Sequence, residues 1–322
     1  MRAFVTGGSG FLGRNLIPYL KEKGWEVRAL ARSTNAAAAV RASGAEPALG
    51  DITAEAGLVD HLRGCDAAFH AAAWADDWGE KAVAWEANVT GTERMLAAAR
   101  AAGVKRFVHV STEAVLVGGK RIVRATEDWP YPSRSLGLYT LTKREAEKRA
   151  RAASVPGFDV MTVRPRFIWG KGDTTLVPRF VEASKSGALK WIAGGRYLTS
   201  TCHVRNVCEG MVKAAEKGSP GEVYFLTDGE PMEFREIITA LLKREGVDAN
   251  VGSVPKFVAH SGAIVMDAAW RLLRLKGRPP LPHASFHLMG EEVTVVDAKA
   301  RRELDYSAET TVARGLAEIG PA

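Results

Sequence analysis

Cysteine is scarce in this sequence of 322 residues, which contains only Cys65, Cys202 and Cys208. None of the three belongs to a C-x-x-C pair or to a metal-binding spacing. Such spacings are typical of zinc sites, and dense cysteine pairs are typical of disulfide-stabilised secreted domains. We therefore expect three reduced structural thiols rather than a disulfide framework or a cysteine metal centre.

Long apolar runs are also missing. The chain begins MRAFVTGG, without the apolar segment of a secretory signal. No uncharged stretch reaches the length of about 18 residues that a membrane-spanning helix needs. These absences predict a cytoplasmic protein without a transmembrane span.

No long basic run occurs, although the formal net charge is +7 and the sequence pI is near 9.3. Lysine and arginine are interspersed with aspartate and glutamate, whereas nucleic-acid-binding proteins cluster them on one face. We therefore do not expect a nucleic acid partner. The charge is more typical of general surface character, or of attraction to phosphorylated cofactors and anionic membrane surfaces.

Short apolar runs alternate with helical patterns in the first half of the chain. A strand at residues 3–5, a glycine-rich turn, a helix at 11–23 and a strand at 26–31 form a βαβ unit. Further strands are predicted at residues 46–49, 67–70, 107–110, 160–163 and 223–226. Continuous apolar strands separated by helices predict an α/β fold with a doubly wound, mostly parallel sheet.

The regular alternation becomes weaker after about residue 170, where clusters of glycine interrupt shorter elements. We expect residues 1–170 to form a dinucleotide-binding domain. Residues 171–322 are expected to form mainly a smaller C-terminal substrate lobe, with some segments returning to the first domain.

Glycines stand at positions 7, 10 and 13, where the first strand passes into the first helix. Without side chains, Gly7, Gly10 and Gly13 let the backbone approach a pyrophosphate, which the helix N-terminus attracts. An ordinary tight turn is the alternative interpretation. The strand, turn and helix context favours a dinucleotide.

The end of the second strand carries Arg32 and Ser33 where NAD-binding folds usually carry an acidic residue. A guanidinium suits the 2′-phosphate of NADP, and Arg28 could assist. The sequence therefore predicts NADP as the preferred cofactor, with NAD as the alternative. A solvated strand end is the interpretation without function.

Asp51 follows the third predicted strand. Its carboxylate could accept a hydrogen bond from the adenine amino group of a nucleotide. It could equally act as the N-cap of a helix after Thr53. Both interpretations stay open from the sequence.

Tyr139 and Lys143 are four residues apart in a predicted helix, so both side chains share one face. An ammonium near a phenol favours the phenolate and would let Tyr139 exchange a proton with a substrate oxygen. Ser111 and Thr112 end the strand at 107–110, and Thr112 is our candidate for orienting that oxygen. An exposed helix pair and strand-end capping by the hydroxyls are the structural alternatives.

These motifs together resemble the extended short-chain dehydrogenase/reductases. The resemblance covers residues 1 to about 170 and rests on the glycine motif, Gly50-Asp51-Ile52, His70-Ala71-Ala72, Asn88-Val89-Thr90-Gly91-Thr92, Ser111-Thr112 and Y-x-x-x-K. It implies a Rossmann domain and a catalytic triad of Thr112, Tyr139 and Lys143. It also implies a set of further cofactor contacts: Phe11, Leu12, Asp51, Ile52, Ala71, Ala72, Ala73, Asn88, Ser111 and Lys143.

A second set of motifs resembles the 3β-hydroxysteroid dehydrogenase branch and the bacterial 2-alkyl-3-oxoalkanoate reductases. The motifs are residues 164–170, 203–207 and 224–231. The likeness implies a bulky apolar substrate and places Pro165, Phe167 and Ile168 near the nicotinamide. Relatives often dimerise through helices that flank the sheet, so a homodimer is a further expectation. Thr112 departs from the serine usual in the family, and its methyl group would narrow the space beside the reacting carbon.

The stretch at residues 257–275 is apolar and ends in basic residues. It fits the wall of a substrate pocket or an interfacial helix in peripheral contact with a membrane. Packing in the core is the alternative interpretation.

The sequence thus predicts an NAD(P)-dependent oxidoreductase that interconverts a secondary alcohol and a ketone on a 3β-hydroxysteroid, sterol or 3-keto lipid. A nucleotide-sugar epimerase or dehydratase shares the fold and the triad, and Arg166, Arg179 and Arg196 could hold a sugar pyrophosphate. A non-catalytic NADP-sensing protein is the alternative of a different class. The intact triad argues against it.

Overall fold

The computed structural model describes residues 1–54 and 57–320. The strands found there are, in chain order, β1 Arg2–Thr6, β2 Glu26–Ala31, β3 Glu46–Leu49, β4 Ala67–His70, β5 Arg106–Val110, β6 Ile122–Ala125, β7 Asp159–Pro165, β8 Ile168–Trp169, β9 Trp191–Ile192, β10 Leu198–Thr199, β11 Cys202–His203, β12 Val223–Leu226, β13 Met232–Glu233, β14 Ser253–Val254 and β15 Val293–Val295. The α-helices are α1 Phe11–Glu22, α2 Thr34–Ala42, α3 Leu58–Leu62, α4 Lys81–Trp85, α5 Gly91–Ala101, α6 Leu138–Ala152, α7 Val177–Lys185, α8 Val204–Lys217, α9 Phe234–Arg244, α10 Lys256–Leu272, α11 His283–Met289, α12 Ala298–Leu304 and α13 Val312–Ile319.

The largest sheet has seven parallel strands in the order β12-β7-β5-β4-β1-β2-β3. All seven strands predicted from the sequence are present in it, so the doubly wound α/β fold is confirmed. The register pairs Thr6 with His70 and His70 with His109. The carboxyl ends of β1, β4 and β5 therefore lie side by side, which is where such sheets bind ligands.

Helices cover both faces of this sheet. On one face, Leu16 and Leu20 of α1 and Met211 of α8 are fully buried in one apolar cluster. On the other face, Met95 of α5 packs with Phe107 of β5. Burying side chains of this size contributes about 1.5–3 kcal/mol each, so the two clusters hold the strand ends in place.

The second half of the chain contributes to this sheet and also forms separate elements. β12 is an edge strand of the large sheet, and α8 and α12 pack near it. A second sheet has the order β13-β10-β15-β6. Trp169, Trp191 and Phe234 centre a further apolar cluster beside α7 and α9.

The predicted apolar stretch at residues 257–275 is largely the helix α10. Only Ala259 and Ala263 of this helix are buried, whereas Phe257 and Val265 are 72% and 66% exposed. Core packing is therefore the wrong interpretation for most of its apolar side chains. Across the described ranges, no helix has the length and apolarity required to cross a bilayer.

Candidate active site

The glycine turn between β1 and α1 brings backbone segments into close contact. Gly7 has a φ of +73°, and a Cβ added there would lie 2.9 Å from the backbone of Ala71. A Cβ on Gly13 would lie 2.2 Å from the carbonyl oxygen of Gly7, whereas on Gly10 it would have 3.3 Å of space. Phe11 is buried and Leu12 packs against the core. The turn is thus a bare backbone cradle at a helix N-terminus, which fits a dinucleotide pyrophosphate.

The end of β2 exposes Arg32 and Ser33 to solvent. Ser33 is the N-cap of α2 and accepts a hydrogen bond from the Ala36 amide at 3.2 Å. Arg28 instead donates to the His61 carbonyl at 2.9 Å and pairs with Glu46 at 3.2 Å. Of the two candidate arginines, Arg28 is thus engaged by other residues, whereas Arg32 is exposed and has no recorded partner among the described residues.

Asp51 accepts hydrogen bonds from the amide and the hydroxyl of Thr53, both at 2.9 Å. No described helix begins at this point, because α3 starts at Leu58 with Gly57 as its N-cap. Within the described residues Asp51 therefore stabilises a short turn, and the N-cap role stays a prediction. Residues 55 and 56, which belong to the stretch predicted to be capped, lie outside the described residues.

Ile52, Ala71, Ala72 and Ala73 lie near this same edge. Ile52 is buried, and a Cβ on Gly91 would meet its side chain at 3.0 Å. Ala71 and Ala72 are half-buried and Ala73 is exposed. The Ala72 amide donates to the Thr6 hydroxyl at 3.2 Å, which ties the segment after β4 to the end of β1.

Asn88 is a buried link between three segments. It lies in a π-helical turn at Glu86–Thr90, accepts from the Trp74 amide at 2.7 Å and donates to the Trp74 carbonyl at 2.9 Å. It also donates to the Thr142 hydroxyl at 2.9 Å. Thr142 is adjacent to Lys143, so Asn88 fixes α6 against the segment that follows β4.

The helix α6 carries both residues of the Y-x-x-x-K motif. Its first turn is closed by a hydrogen bond of 3.1 Å from the Gly137 amide to the Thr140 hydroxyl. Tyr139 is half-buried, and Lys143 is buried with its ammonium donating to the Val110 carbonyl at 2.6 Å. Because Val110 ends β5, this bond joins the helix to the end of the sheet, where Thr112 follows two residues later.

Thr112 is extended backbone at the start of a 3-10 turn, Glu113–Leu116. Its hydroxyl donates to Glu113 at 2.8 Å and accepts from the Ala114 amide at 3.2 Å. Thr112 therefore does cap the turn at the end of the strand, which was the structural alternative for this hydroxyl. Thr112 also lowers the pKa of Tyr139, so the capping residue lies near the phenol as well.

The electrostatics of the pair differ from the expectation for Tyr139. Burial raises the pKa of Tyr139, the negative charge of Glu113 adds to this, Thr112 opposes it, and Asp77 raises it further. Burial lowers the pKa of Lys143 to about 8, against the charge of Glu147. The expected depression of the Tyr139 pKa is thus reversed here, because desolvation and two carboxylates act on the phenol.

Ser111 takes part in a buried network rather than facing the phenol. Its hydroxyl donates to Glu147, which also accepts from Tyr131 at 2.5 Å and from Arg164 at 2.5 Å. Burial raises the pKa of Glu147, but Arg164 and these hydrogen bonds outweigh it and leave the pKa lowered. The network fixes the end of β5 against α6 and β7.

Glu113 and Asp77 were not predicted from the sequence, and Arg166 was a candidate for a sugar pyrophosphate only under the epimerase or dehydratase alternative. Arg166 is instead buried, pairs with Glu113 at 2.6 Å and donates to the Leu288 carbonyl at 2.6 Å. Burial raises the pKa of Asp77 to about 6. The position of Glu113, directly after Ser111-Thr112, was the available signal.

Pro165 ends β7, Phe167 lies in the short connection that follows, and Ile168 begins β8. Pro165 pairs with Leu226 of β12 and is buried. Phe167 has a positive φ of 49° and packs edge-on against Phe234 with ring centroids 6.2 Å apart. Ile168 is half-buried against the sheet's core. The Phe167 ring therefore packs in the apolar cluster of Trp169, Trp191 and Phe234.

Comparison with known proteins places this geometry in a family. Residues 4–255 match the model of the 3-beta hydroxysteroid dehydrogenase/isomerase family. The chain is 48% identical to 4-hydroxy-2-methyl-3-oxo-4-farnesyl-3,4-dihydroquinoline-1-oxide ketoreductase from Stigmatella aurantiaca, over 100% of this chain and 97% of the relative. It is 32% identical to the decarboxylating sterol-4-alpha-carboxylate 3-dehydrogenase of Dictyostelium discoideum, over 98% of this chain and 99% of the relative.

A solved structure with the same fold contains NAD. The dTDP-glucose 4,6-dehydratase DesIV from Streptomyces venezuelae, determined as a double mutant with NAD bound, superposes with a TM-score of 0.75 at 28% identity. The match covers 99% of this chain and 95% of that structure. The chain therefore belongs to the 3-beta hydroxysteroid dehydrogenase/isomerase family of extended short-chain dehydrogenase/reductases and is an NAD(P)-dependent oxidoreductase.

Proposed function

We propose that this enzyme interconverts a ketone and a secondary alcohol on a bulky apolar substrate, with Tyr139 as the proton donor and acceptor. The observation that carries the proposal is the 2.6 Å bond from the Lys143 ammonium to the Val110 carbonyl, which holds the helix of Tyr139 and Lys143 against the end of β5, two residues before Thr112. A hydroxyl, a phenol and an ammonium at one strand end are the groups that carbonyl reduction needs for its proton.

The nicotinamide supplies or accepts the hydride when bound, and the residues of this chain manage the proton. In reduction, the Tyr139 hydroxyl gives its proton to the carbonyl oxygen and becomes a phenolate. In oxidation, the phenolate removes the proton from the alcohol. Thr112 orients the substrate oxygen, and the Lys143 ammonium holds ribose hydroxyls and acts, by its positive charge, against the rise in the Tyr139 pKa that burial and Glu113 cause.

We propose that the glycine cradle holds the pyrophosphate and that the neighbouring side chains and backbone hold the rest of the cofactor. The proposed contacts are Gly7, Gly10, Phe11, Leu12, Gly13, Arg32, Asp51, Ile52, Ala71, Ala72, Ala73, Asn88, Ser111, Lys143, Pro165, Phe167 and Ile168. Ser111 and Asn88 already use their side chains in buried bonds. Their contribution is therefore to position the elements that carry Thr112 and Lys143.

NADP is the proposed preferred cofactor. Support comes from Arg32, whose side chain is exposed at the end of β2, while Arg28 is engaged with Glu46. An exposed guanidinium with no recorded partner among the described residues matches the charge and geometry of a 2′-phosphate. NAD stays the alternative, since the DesIV structure contains it.

A prenylated or sterol-like ketone is the proposed substrate. Support comes from the farnesyl-bearing quinoline oxide named for the Stigmatella relative and from the sterol named for the Dictyostelium relative. The test is a panel of a farnesylated quinoline ketone, a 3-ketosteroid and a dTDP-sugar with NADPH. We expect net loss of nicotinamide absorbance with the first two, and turnover of the sugar alone would overturn the proposal.

The alternative of a sugar-nucleotide epimerase or dehydratase loses one of its supports. Arg166 is buried and held by Glu113, Thr199 and the Leu288 carbonyl, so it is not free to meet a pyrophosphate. Sugar turnover without net oxidation of the cofactor would revive this alternative. Tight cofactor binding without turnover of any ketone would favour the non-catalytic sensor.

We also propose that α10 makes a peripheral contact with an anionic lipid surface. Exposed Phe257 and Val265 lie on this helix, and basic Arg271, Arg274 and Lys276 follow at its end. Sedimentation with anionic vesicles should retain the protein and release Val265→Glu. A concentration-dependent dimer that this variant abolishes would assign α10 to the predicted homodimer instead. The cytoplasmic location and the division at residue 170 stay predictions.

A further inference from the structure

Three histidines that the proposed reaction does not use meet between α10 and α11. The chain has seven histidines, and His260, His283 and His287 bring their ring nitrogens within 4.8 Å of one another. Nε2 of His283 lies 3.2 Å from Nε2 of His260 and 3.3 Å from Nε2 of His287. His287 is buried, and the other two are half-buried.

Hydrogen bonding alone does not satisfy this arrangement. Nδ1 of His287 lies 2.5 Å from the Glu291 carboxylate, so it donates its proton there, and in the neutral ring Nε2 carries the lone pair. Nε2 of His283 can then donate its single proton to His287. Once it does so, it has no lone pair for His260, and the second contact of 3.2 Å stays unsatisfied.

A metal ion satisfies all three nitrogens at once. Imidazole nitrogens bind zinc at about 2.0–2.1 Å in tetrahedral geometry, so two of them lie about 3.3 Å apart. The two separations from His283, 3.2 and 3.3 Å, match this value. The nitrogens of His260 and His287 lie within 4.8 Å of each other, so these two rings close around the ion when it binds. We propose that His260, His283 and His287 bind one divalent transition-metal ion such as zinc, with a fourth position left to water.

Glu291 acts as the partner that orients a ligand. A carboxylate bonded to the second ring nitrogen fixes the tautomer and direction of a metal-binding histidine. Oε1 of Glu291 contacts His287, while its Oε2 lies 2.6 Å from the ammonium of Lys256 at the start of α10. The proposed metal therefore joins α10 to α11, and the ion pair joins α10 to the residues directly after α11.

The proposed metal site lies close to the start of α6, the helix that carries Tyr139. α11 packs near the start of α6, where a Cβ on Gly137 would lie 3.0 Å from Ala284, and Ser285 lies 3.5 Å from Asp77. α10 has few buried residues of its own. The metal would thus hold α10, which is mostly exposed, against α11, which packs near the start of α6.

The test uses protein without a polyhistidine tag, titrated with ZnCl₂ by calorimetry and followed by thermal unfolding. We expect one zinc per chain, a higher Tm with zinc, and no change with Mg²⁺, which prefers oxygen ligands. Cobalt should give the intense visible absorption of a tetrahedral site. No zinc binding by the unmodified protein, or binding without a Tm change, would overturn the proposal.

Variants separate this site from casual binding to surface histidines. H283Q should lose the zinc-dependent rise in Tm, and E291Q should weaken binding by about 10- to 100-fold. The control H61Q changes a histidine outside the cluster, which contacts the Leu49 carbonyl at 2.9 Å, and should bind like the unmodified protein. If H283Q does not fold, H260Q on the exposed helix serves in its place. Equal zinc affinity in the cluster variants and H61Q would contradict the assignment.

Discussion

Nη1 of Arg166 lies 2.6 Å from Oε1 of Glu113, and both side chains are almost fully buried. Oε2 of the same carboxylate accepts from the Thr112 hydroxyl at 2.8 Å. The negative charge of Glu113 raises the pKa of Tyr139. This pair therefore connects the proposed proton donor to the C-terminal half of the chain, where Arg166 binds the Leu288 carbonyl.

Glu113→Gln should lower the pKa of Tyr139, because it removes the charge that raises it and leaves the Arg166 cation nearby. Alcohol oxidation needs the phenolate, so its pH profile should move to lower pH. The cost is a fall in the free energy of unfolding of about 3–5 kcal/mol, since Arg166 loses its buried partner.

The pH profile of kcat and urea unfolding check these two effects. Glu93→Gln, at a surface pair with Arg149, is the control and should change neither. A profile that stays in place or moves to higher pH would show that Glu113 does not act on Tyr139.

Lys143→Met should stabilise the protein without cofactor while weakening nucleotide binding. The folded-state pKa of about 8 lies below the unfolded value of about 10.4, so the folded state disfavours the charge. That penalty is fully present below pH 8 and fades as the pH rises towards 10. The gain in unfolding free energy should reach about 3 kcal/mol at pH 7 and shrink over this window.

Urea unfolding at several pH values measures that gain, and fluorescence titration measures the nucleotide. Lys148→Met, on the same helix but with an exposed side chain, should stay within about 0.5 kcal/mol of the unmodified protein. A Lys143→Met variant that is less stable than the parent at pH 7 would refute the account of Lys143.

The glycine cradle predicts different outcomes for two similar substitutions. Gly13→Ala places a Cβ 2.2 Å from the Gly7 carbonyl, so it should cost about 3 kcal/mol or more in unfolding free energy. Gly10→Ala leaves 3.3 Å and should fold normally while losing nucleotide affinity. Thermal unfolding with and without NADPH distinguishes the two. Equal NADPH affinity in Gly10→Ala and the parent would remove the pyrophosphate from this turn.

Arg32→Ala should change the choice of cofactor. A charge-assisted hydrogen bond to a 2′-phosphate contributes about 1.5–3 kcal/mol, so the Kd for NADPH should rise by about tenfold or more. The Kd for NADH should stay the same. Arg63→Ala, at an exposed pair with Asp60, is the control. Parallel losses for both cofactors, or no loss for either, would contradict a preference set by Arg32.

Local patterns in the sequence predicted the sheet and the helix that carries Tyr139 and Lys143. The strands are continuous apolar runs, and Thr112, Tyr139 and Lys143 sit at positions that a parallel sheet brings to one edge. Long-range pairing was not predictable in this way. Glu113 meets Arg166 across 53 positions, and His260 meets His283 across 23, and no local period encodes such contacts.

The direction of the pKa shift of Tyr139 was also not predicted correctly from the sequence. The Y-x-x-x-K spacing correctly placed two residues on one helix, but spacing carries no information about burial or about carboxylates from other elements. Asp77 and Glu113 raise the pKa of Tyr139 from outside α6. The role of Asp51 was also open from the sequence, because a carboxylate that accepts from the amide two residues ahead closes a turn as readily as it caps a helix.

The most direct test of the central claim is Tyr139→Phe, which removes one hydroxyl from a half-buried ring. The variant should keep the Tm and NADPH affinity of the parent, while its kcat on a reducible lipid ketone falls by about 10²-fold or more. Normal turnover by a folded, NADPH-binding Tyr139→Phe enzyme would contradict the assignment of Tyr139 as the acid and base.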